Sequence, residues 1–352
     1  MVDKKEIQEK IVQSEKSKEE DLINILKMVA PGTHLRSALD GSLKTGRGAL
    51  IVVENEHVPS LLDGGFRINA RFTPQRLVEL SKLDGAIVLS KDLKKIYYAN
   101  VLLTPDSRIK SAETGTRHKA AERTAKQTGT LVIAISERKQ EITIFSGKIR
   151  YHLMNTDELL RKTNENIQIL EKQRESFDKC VDDLTRVELR NQPSLNHALN
   201  VIQKGMMIQK INEDLKKNIV ELGKESILLK TRIKEMNSGV EKETDLVIKD
   251  YTKVNVKKSK EALKNFSFDE IMSKEHLLGV LAYESETLTE PVKGWRILSK
   301  TSLPESDVAL LIRSAGSLGA AIHSGISLHK EVLGEENAEL FKNEINKIKI
   351  SS

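Results

Sequence analysis

A chain of 352 residues, 38% of them hydrophobic, has room for two or three domains and at least one proper core. Its net charge of +6 favours anionic partners such as nucleotides or nucleic acid, and its single cysteine, Cys180, excludes an intrachain disulfide and a cysteine-built zinc site. No apolar run approaches the roughly 18 residues of a membrane span, and the charged stretch from Met1 to Glu20 is unlike a secretory signal, so a soluble, cytoplasmic protein with no membrane partner is expected.

In chain order, Ser17 and Glu20 form a capping-box pattern before the apolar-periodic run "DLINILKMVA". A continuous apolar strand, "ALIVVE", follows, and then "LDGGFRIN", whose Gly64-Gly65 is either a hairpin turn or a ligand-facing loop. Thr73-Pro74 opens a second helix, "PQRLVELSKL", with proline at its first position. Strands "GAIVLS", "KIYYANVLL", "LVIAIS" and "EITIFSGKIRYHL" surround one more helix, for which Thr116 reads as N-cap and Gly129 as the residue past its end. Residues 1–153 therefore predict an α/β sandwich, a mixed sheet covered by helices.

From 154 to 265 the strands disappear. With Leu160, Ile167, Arg174, Val181 and Glu188 at a positions and Thr163, Leu170, Phe177 and Leu184 at d positions, six of nine are apolar, an imperfect seam that predicts packed helices. Pro193 should break the first of them, and Gly239 should start another. Residues 266–352 read as short helices with frequent breaks, including a tight turn at Ser302-Leu303-Pro304 between two helices. The expected domains are thus 1–153, an all-α spine over 154–265, and a helical module over 266–352.

Two stretches could carry chemistry. In "SKLDGAIVLS" the helix should end at Leu83, and Gly85 and Ala86 leave the backbone bare for a bulky ligand beside the Asp84 carboxylate. That carboxylate either holds a divalent cation, accepts a proton from a hydroxyl, or belongs to an ordinary Asp-Gly turn. In "ETGTRHKAAER" the basic residues Arg117, His118 and Lys119 occupy the first turn of a helix, where exposed positive charge costs about 0.3–1 kcal/mol apiece. The turn is either simply solvated or built to receive a polyphosphate, whose charge would offset that cost at the free amides of the helix start. Neither a Walker A run nor a GxGxxG after a strand is present, so a nucleotide would have to bind by another scheme.

"LDGAIVLS" followed some thirty residues later by "ETGTRHKAAERTAKQTGTLVIAISER" resembles the diadenylate cyclase domain, and the order of the three zones is similar to the DNA integrity scanning diadenylate cyclase family. The resemblance implies an α/β cyclase domain, a helical spine and a helix-hairpin-helix C-terminal domain. It implies condensation of two ATP molecules to cyclic di-AMP and two pyrophosphates, with Mg²⁺ or Mn²⁺, across facing subunits of a homo-octamer. Under it, Asp84 positions the metal or deprotonates the attacking 3′-hydroxyl, Gly85 and Ala86 line the nucleotide, and Leu103 gives a backbone contact to adenine. Thr116, Arg117 and His118 grip the triphosphate, with Lys119 and Ala120 beside them.

The chain departs from the family motif, usually Arg-His-Arg-Thr, at Lys119 and Ala120, which keep the charge but lose a bidentate fork and a hydroxyl. Turnover is expected to survive. The tail departs further: Val332 stands where the second hairpin's first glycine would be, and Glu286 to Ser352 carries eight basic against nine acidic side chains. DNA binding through this tail is therefore expected to be weak, with little counterion release to drive it. The alternative is a non-catalytic nucleotide-sensing or DNA-junction-binding scaffold.

Overall fold

The computed structural model describes residues 20–288 and 290–351, which form two compact units. The first contains the described residues up to Thr163 together with Lys216–Leu229, and the second contains Asn164–Leu215 and the chain from Lys230 onward. Ser17, half of the expected capping box, lies outside the described residues.

The first unit is built on helices α1 (20–29), α2 (His34–Lys44), α3 (Pro74–Leu80) and α4 (Thr116–Thr128). Its strands are β1 (Ala49–Val53), β2 (Leu62–Asp63), β3 (Phe66–Arg71), β4 (Ala86–Leu89), β5 (Lys95–Leu103), β6 (Leu131–Ser136), β7 (Glu141–Ser146) and β8 (Ile149–Leu153). They make one mixed sheet in the order β2-β5-β4-β1-β6-β7-β8, with β3 also paired to β5; β1 and β4 run parallel. Successive strand residues face opposite sides, so each central strand feeds two cores. Ile51, Ile87, Ile133 and Ile144 pack under α1, α2 and α3, whereas Val52, Val88, Val132 and Phe145 pack under α4. Ala121 and Ala125 are the α4 residues in that second core, and their short side chains let the helix lie close to the sheet.

Three local expectations change. Gly64-Gly65 is not a hairpin turn: β2 and β3 both pair with β5, and the two glycines form a break within that edge. Both glycines have positive φ, and a Cβ on Gly65 would meet the Ala99 carbonyl at 2.8 Å and the Asn100 carbonyl at 3.0 Å, so only glycine passes there. Helix α3 ends at Leu80 instead of Leu83, and Ser81–Leu83 complete a turn through amide bonds to Leu77, Glu79 and Leu80. The N-cap of α4 is Gly115; Thr116 is its first helical residue. Thr73 and Pro74 cap and start α3 as expected, and Gly129 closes α4 in the left-handed conformation.

Helix α5 (Thr156–Leu189) starts in the first unit and continues in the second, followed by α6 (Leu195–Leu222) beyond the Pro193 break. Thr163, Ile167, Leu170, Phe177 and Leu184 are buried along α5, as the seam requires. Its polar a positions have specific work. Arg174 donates to the carbonyls of Met236 and Ser238 at the end of α7 (Ile227–Asn237), and Glu188 is buried against Arg296. Gly239, with φ 77°, precedes α8 (Val240–Tyr251). Cys180 is half-buried, and burial pushes its thiol pKa up, the opposite of an activated nucleophile.

The remainder of the second unit is helical: α9 (Val256–Lys264), α10 (Phe268–Met272), α11 (Lys274–Leu281), α12 (Trp295–Leu298), α13 (Glu305–Ala315), α14 (Leu318–His323), α15 (Ile326–Leu333) and α16 (Glu335–Ser351). The last five surround a core of Ile297, Leu298, Leu311, Leu318 and Phe341. Ser302-Leu303-Pro304 does join two helices, α12 and α13, and Gly334, with φ 81°, joins α15 to α16.

Candidate functional site

Register places the two candidate stretches at one rim of the sheet. Leu50 pairs in parallel with Ala86, so Gly48 and Asp84, each two residues earlier, lie side by side where β1 and β4 begin. Val101 pairs antiparallel with Ala86, which brings Leu103, two residues on, to the same rim. Arg47 fastens this arrangement by donating to the Lys82 carbonyl at 3.1 Å. Asp84 is exposed and has no hydrogen-bond or ion-pair partner among the described residues. Gly85, with φ 88°, is required sterically: a Cβ there would come within 2.8–3.0 Å of the Asn100–Val101 backbone. Ala86 is fully buried, and the Leu103 side chain is buried too, leaving its backbone as the part a ligand could read.

The start of α4 reaches the same rim. Arg117 lies across Gly48, so closely that a Cβ on Gly48 would collide with the guanidinium. This glycine was not singled out in the sequence, where nothing linked it to a residue 69 positions away; its requirement is purely tertiary. No acidic residue occupies the first turn and no side chain caps it. The amides of Thr116, Arg117 and His118 have no partner among the described residues, and neither has the Arg117 guanidinium. Lys119 uses its own amide on the Gly115 carbonyl at 2.8 Å. Ala120 packs against the core under α4, so its methyl has a packing role in this chain.

His118 is half-buried with its ring edge-on to Phe145, at 6.5 Å between centroids. Burial holds its pKa below the usual histidine value; Glu113 opposes that shift, while Arg117, His152 and Lys139 reinforce it. The loop leading into α4 is stapled in place. Glu122 accepts from Ser111 Oγ at 2.5 Å, from the Ala112 amide at 3.0 Å and from Lys126 at 2.7 Å, while Arg123 and Lys126 hold the carbonyls of Ile109 and Lys110. Arg150 on β8 donates to Glu113 at 2.5 Å. Glu113, Arg150 and His152 are additions to the sequence-level site; the alternation in "IRYHL" was their one available signal.

The arrangement offers unpaired positive charge and free amides next to a lone carboxylate and a stretch of bare backbone. That chemistry suits a phosphorylated ligand with an adjoining cation. Among the described residues no cluster of three or more His, Cys, Asp or Glu could hold a metal by itself.

The model of the "DisA bacterial checkpoint controller nucleotide-binding" domain matches residues 36–149, and that of the "DisA bacterial checkpoint controller linker region" matches residues 153–289. The DNA integrity scanning protein DisA of Acetivibrio thermocellus is 38% identical over 330 residues, covering 91% of each chain. This chain belongs to the DisA family. The DisA of Clostridioides difficile is 37% identical, covering 94% of this chain and 95% of its own. A solved structure of DacA from Staphylococcus aureus shares 24% identity over 40% of this chain and 90% of that one, with a TM-score of 0.30. Family membership makes the chain an enzyme, a diadenylate cyclase, and sets aside the non-catalytic scaffold. No described helix is long and apolar enough to cross a membrane.

Proposed function

We propose that the rim formed by Asp84, Gly85, Ala86, Leu103 and the start of α4 holds one ATP, and that two such rims face each other across a subunit contact to make cyclic di-AMP. The single observation that carries this reading is the unpaired charge of Arg117 and the free amides of residues 116–118 at the rim where the unpartnered Asp84 lies. The triphosphate would seat on the amides and side chains of Thr116, Arg117 and His118, with Lys119 adding charge. Gly85 and Ala86 admit the nucleoside, and the Leu103 backbone contacts adenine.

In each half-reaction the 3′-hydroxyl oxygen of one ATP attacks the α-phosphorus of the other, the bond to the β-phosphate breaks, and pyrophosphate leaves. Asp84 takes the hydroxyl proton or positions the metal. Charge accumulating on the departing pyrophosphate is stabilised by Arg117 and the α4 amides, which are held in place beforehand by the Glu122 staples. Magnesium and manganese commonly sit on one or two carboxylates plus phosphate oxygens, so a single free Asp84 fits either ion, which would neutralise phosphate charge. Facing sites require an oligomer, for which the octamer is the proposed form.

The C-terminal module is read as helix-hairpin-helix, with α12–α13 and α15–α16 as its hairpins. Two features support only a weak DNA contact. The Ser302 amide in the first hairpin is taken by the Glu344 carboxylate at 2.9 Å, and Glu335 and Glu336 fill the first turn after Gly334 in the second. Incubation of the purified oligomer with ATP and Mn²⁺ should yield cyclic di-AMP by mass spectrometry. A folded oligomer that binds ATP and forms no product overturns the proposal.

A further inference from the structure

Strand β8 is the last strand on its side of the sheet, and its residues serve two different places. Ile149, Tyr151 and Leu153 face the core beneath α1 and α2, and Arg150 and His152 face the side that α4 covers. On the α4 side, Arg150 pairs with Phe145 in register and donates to Glu113, whose side chain is only 12% exposed. Glu113 stands three residues before the first turn of α4 and bears on His118. On the other side, the Tyr151 hydroxyl donates to Glu221 Oε2 at 2.5 Å. Glu221 is fully buried in the last turn of α6, and its other oxygen accepts the Met154 amide at 3.1 Å, just past the end of β8. The Met154 carbonyl is in turn held by Arg36 at 2.9 Å. The end of α6 thus grips β8 at two points, and adjacent residues of the same short strand grip the loop that enters α4.

We propose that Arg150, acting through Glu113, is a positioning residue for the triphosphate grip, and that the Tyr151–Glu221 bond makes its placement depend on the end of α6. The inference rests on the ATP site proposed above. A strand residue cannot shift along or out of the sheet without moving its neighbours, so displacement at Tyr151 is carried to Arg150 and His152. Arg150 is therefore not a phosphate ligand in this scheme. Its guanidinium is spent on Glu113, which fixes the backbone of 113–115 and hence the direction in which the α4 amides point. Strand β8 is then the route by which a displacement of Glu221 reaches the nucleotide.

The test is steady-state cyclic di-AMP synthesis by the full-length oligomer, with KM and kcat separated and folding checked by circular dichroism. Arg150→Met and Glu113→Gln should each raise the KM for ATP about tenfold, as expected on losing a charge-assisted pair that orders a binding loop, with kcat changed far less. The double variant should be no worse than either single one, because both remove the same pair. Tyr151→Phe should raise KM about threefold, the smaller effect of one bond on a displaced neighbour. If Tyr151→Phe is unstable because it strands the buried carboxylate, Tyr151→Phe/Glu221→Leu removes both partners and should still raise KM.

Unchanged KM in Arg150→Met, or additive effects in the double variant, overturn the Arg150–Glu113 role. Unchanged KM in both Tyr151 variants overturns the link to α6. Asp84→Asn and Arg117→Ala run alongside: if they keep full turnover, the ATP-site reading itself has failed and this inference falls with it. If they lose turnover while the β8 variants behave as wild type, only the inference is lost.

Discussion

Arg117 in the first unit and Arg296 in the second are treated in opposite ways. Arg296 is fully buried and its charge is matched inside the fold: its two terminal nitrogens meet Glu188, Glu243 at 2.8 Å and Thr185 at 3.0 Å, leaving only Nε without a partner, and the Tyr251 hydroxyl donates to Glu188 at 2.8 Å. Arg117 lies half-exposed over a glycine with no partner of its own. A buried charge must be matched within the fold, since an unmatched one costs several kcal/mol, about the stability of a domain. A charge left open at a rim is available to an anion from outside. The contrast separates an arginine that holds structure together from one that waits for a ligand.

The largest test is on the open side. Asp84→Asn should lower turnover by about 10²–10⁴-fold, the usual worth of a general base, while ATP still binds by calorimetry. Comparable turnover would show that Asp84 is not the reacting carboxylate. On the closed side, Arg296→Met should destabilise the second unit by about 3–5 kcal/mol in urea unfolding, because it leaves the buried Glu188 carboxylate without its counter-charge. ATP affinity should hold within about twofold, as the interaction lost is not part of the nucleotide rim.

Gly48→Ala sharpens the comparison by moving Arg117 without removing it. The added methyl must displace the guanidinium, so KM for ATP should rise about three- to tenfold with the fold intact. An unchanged KM would mean that the position of Arg117 over Gly48 is irrelevant to ATP.

A last expected effect is one of pH. Asp250 accepts the amides of Gly294, Trp295 and Arg296, at 3.0, 2.7 and 2.8 Å, beside the Arg296 cluster. Burial pushes its pKa up to about 7; the Arg296 amide bond opposes that, and the nearby Glu188 adds to it. The folded state therefore keeps a proton that the unfolded chain has released. Between the ordinary value of 3.8 and about 7, stability contributed at this group falls as pH rises, and it levels off above 7. Urea unfolding of wild type against Asp250→Asn should show that slope in the wild type and its loss in the variant.

Much of this was legible in the chain. The apolar strand runs, the Thr73-Pro74 start, Gly129 as a helix end, the Pro193 break and most of the α5 seam follow from local rules that act over a few residues. The imperfect a positions were harder to interpret. Arg174 and Glu188 look like defects in a heptad until their partners, 62 and 108 residues away, are known. Gly64-Gly65 misled for a similar reason: two glycines after a short apolar run suit a hairpin, and only pairing of both flanks with β5 shows a break in one edge.

By itself, the sequence determined the mixed sheet with helices at the N-terminal side and the all-helical region after it, the family motifs and the presence of basic charge at the start of α4. Each depends on residue identity and short spacing, which propensity and side-chain periodicity convert directly into local structure. Tertiary structure alone decided that Asp84, Gly48, Leu103 and Arg117 share a rim, that Arg117 stays unpaired while Arg296 does not, and that β8 touches both α6 and the loop before α4. Those are consequences of strand register and burial, which bring together residues that have no relation along the chain.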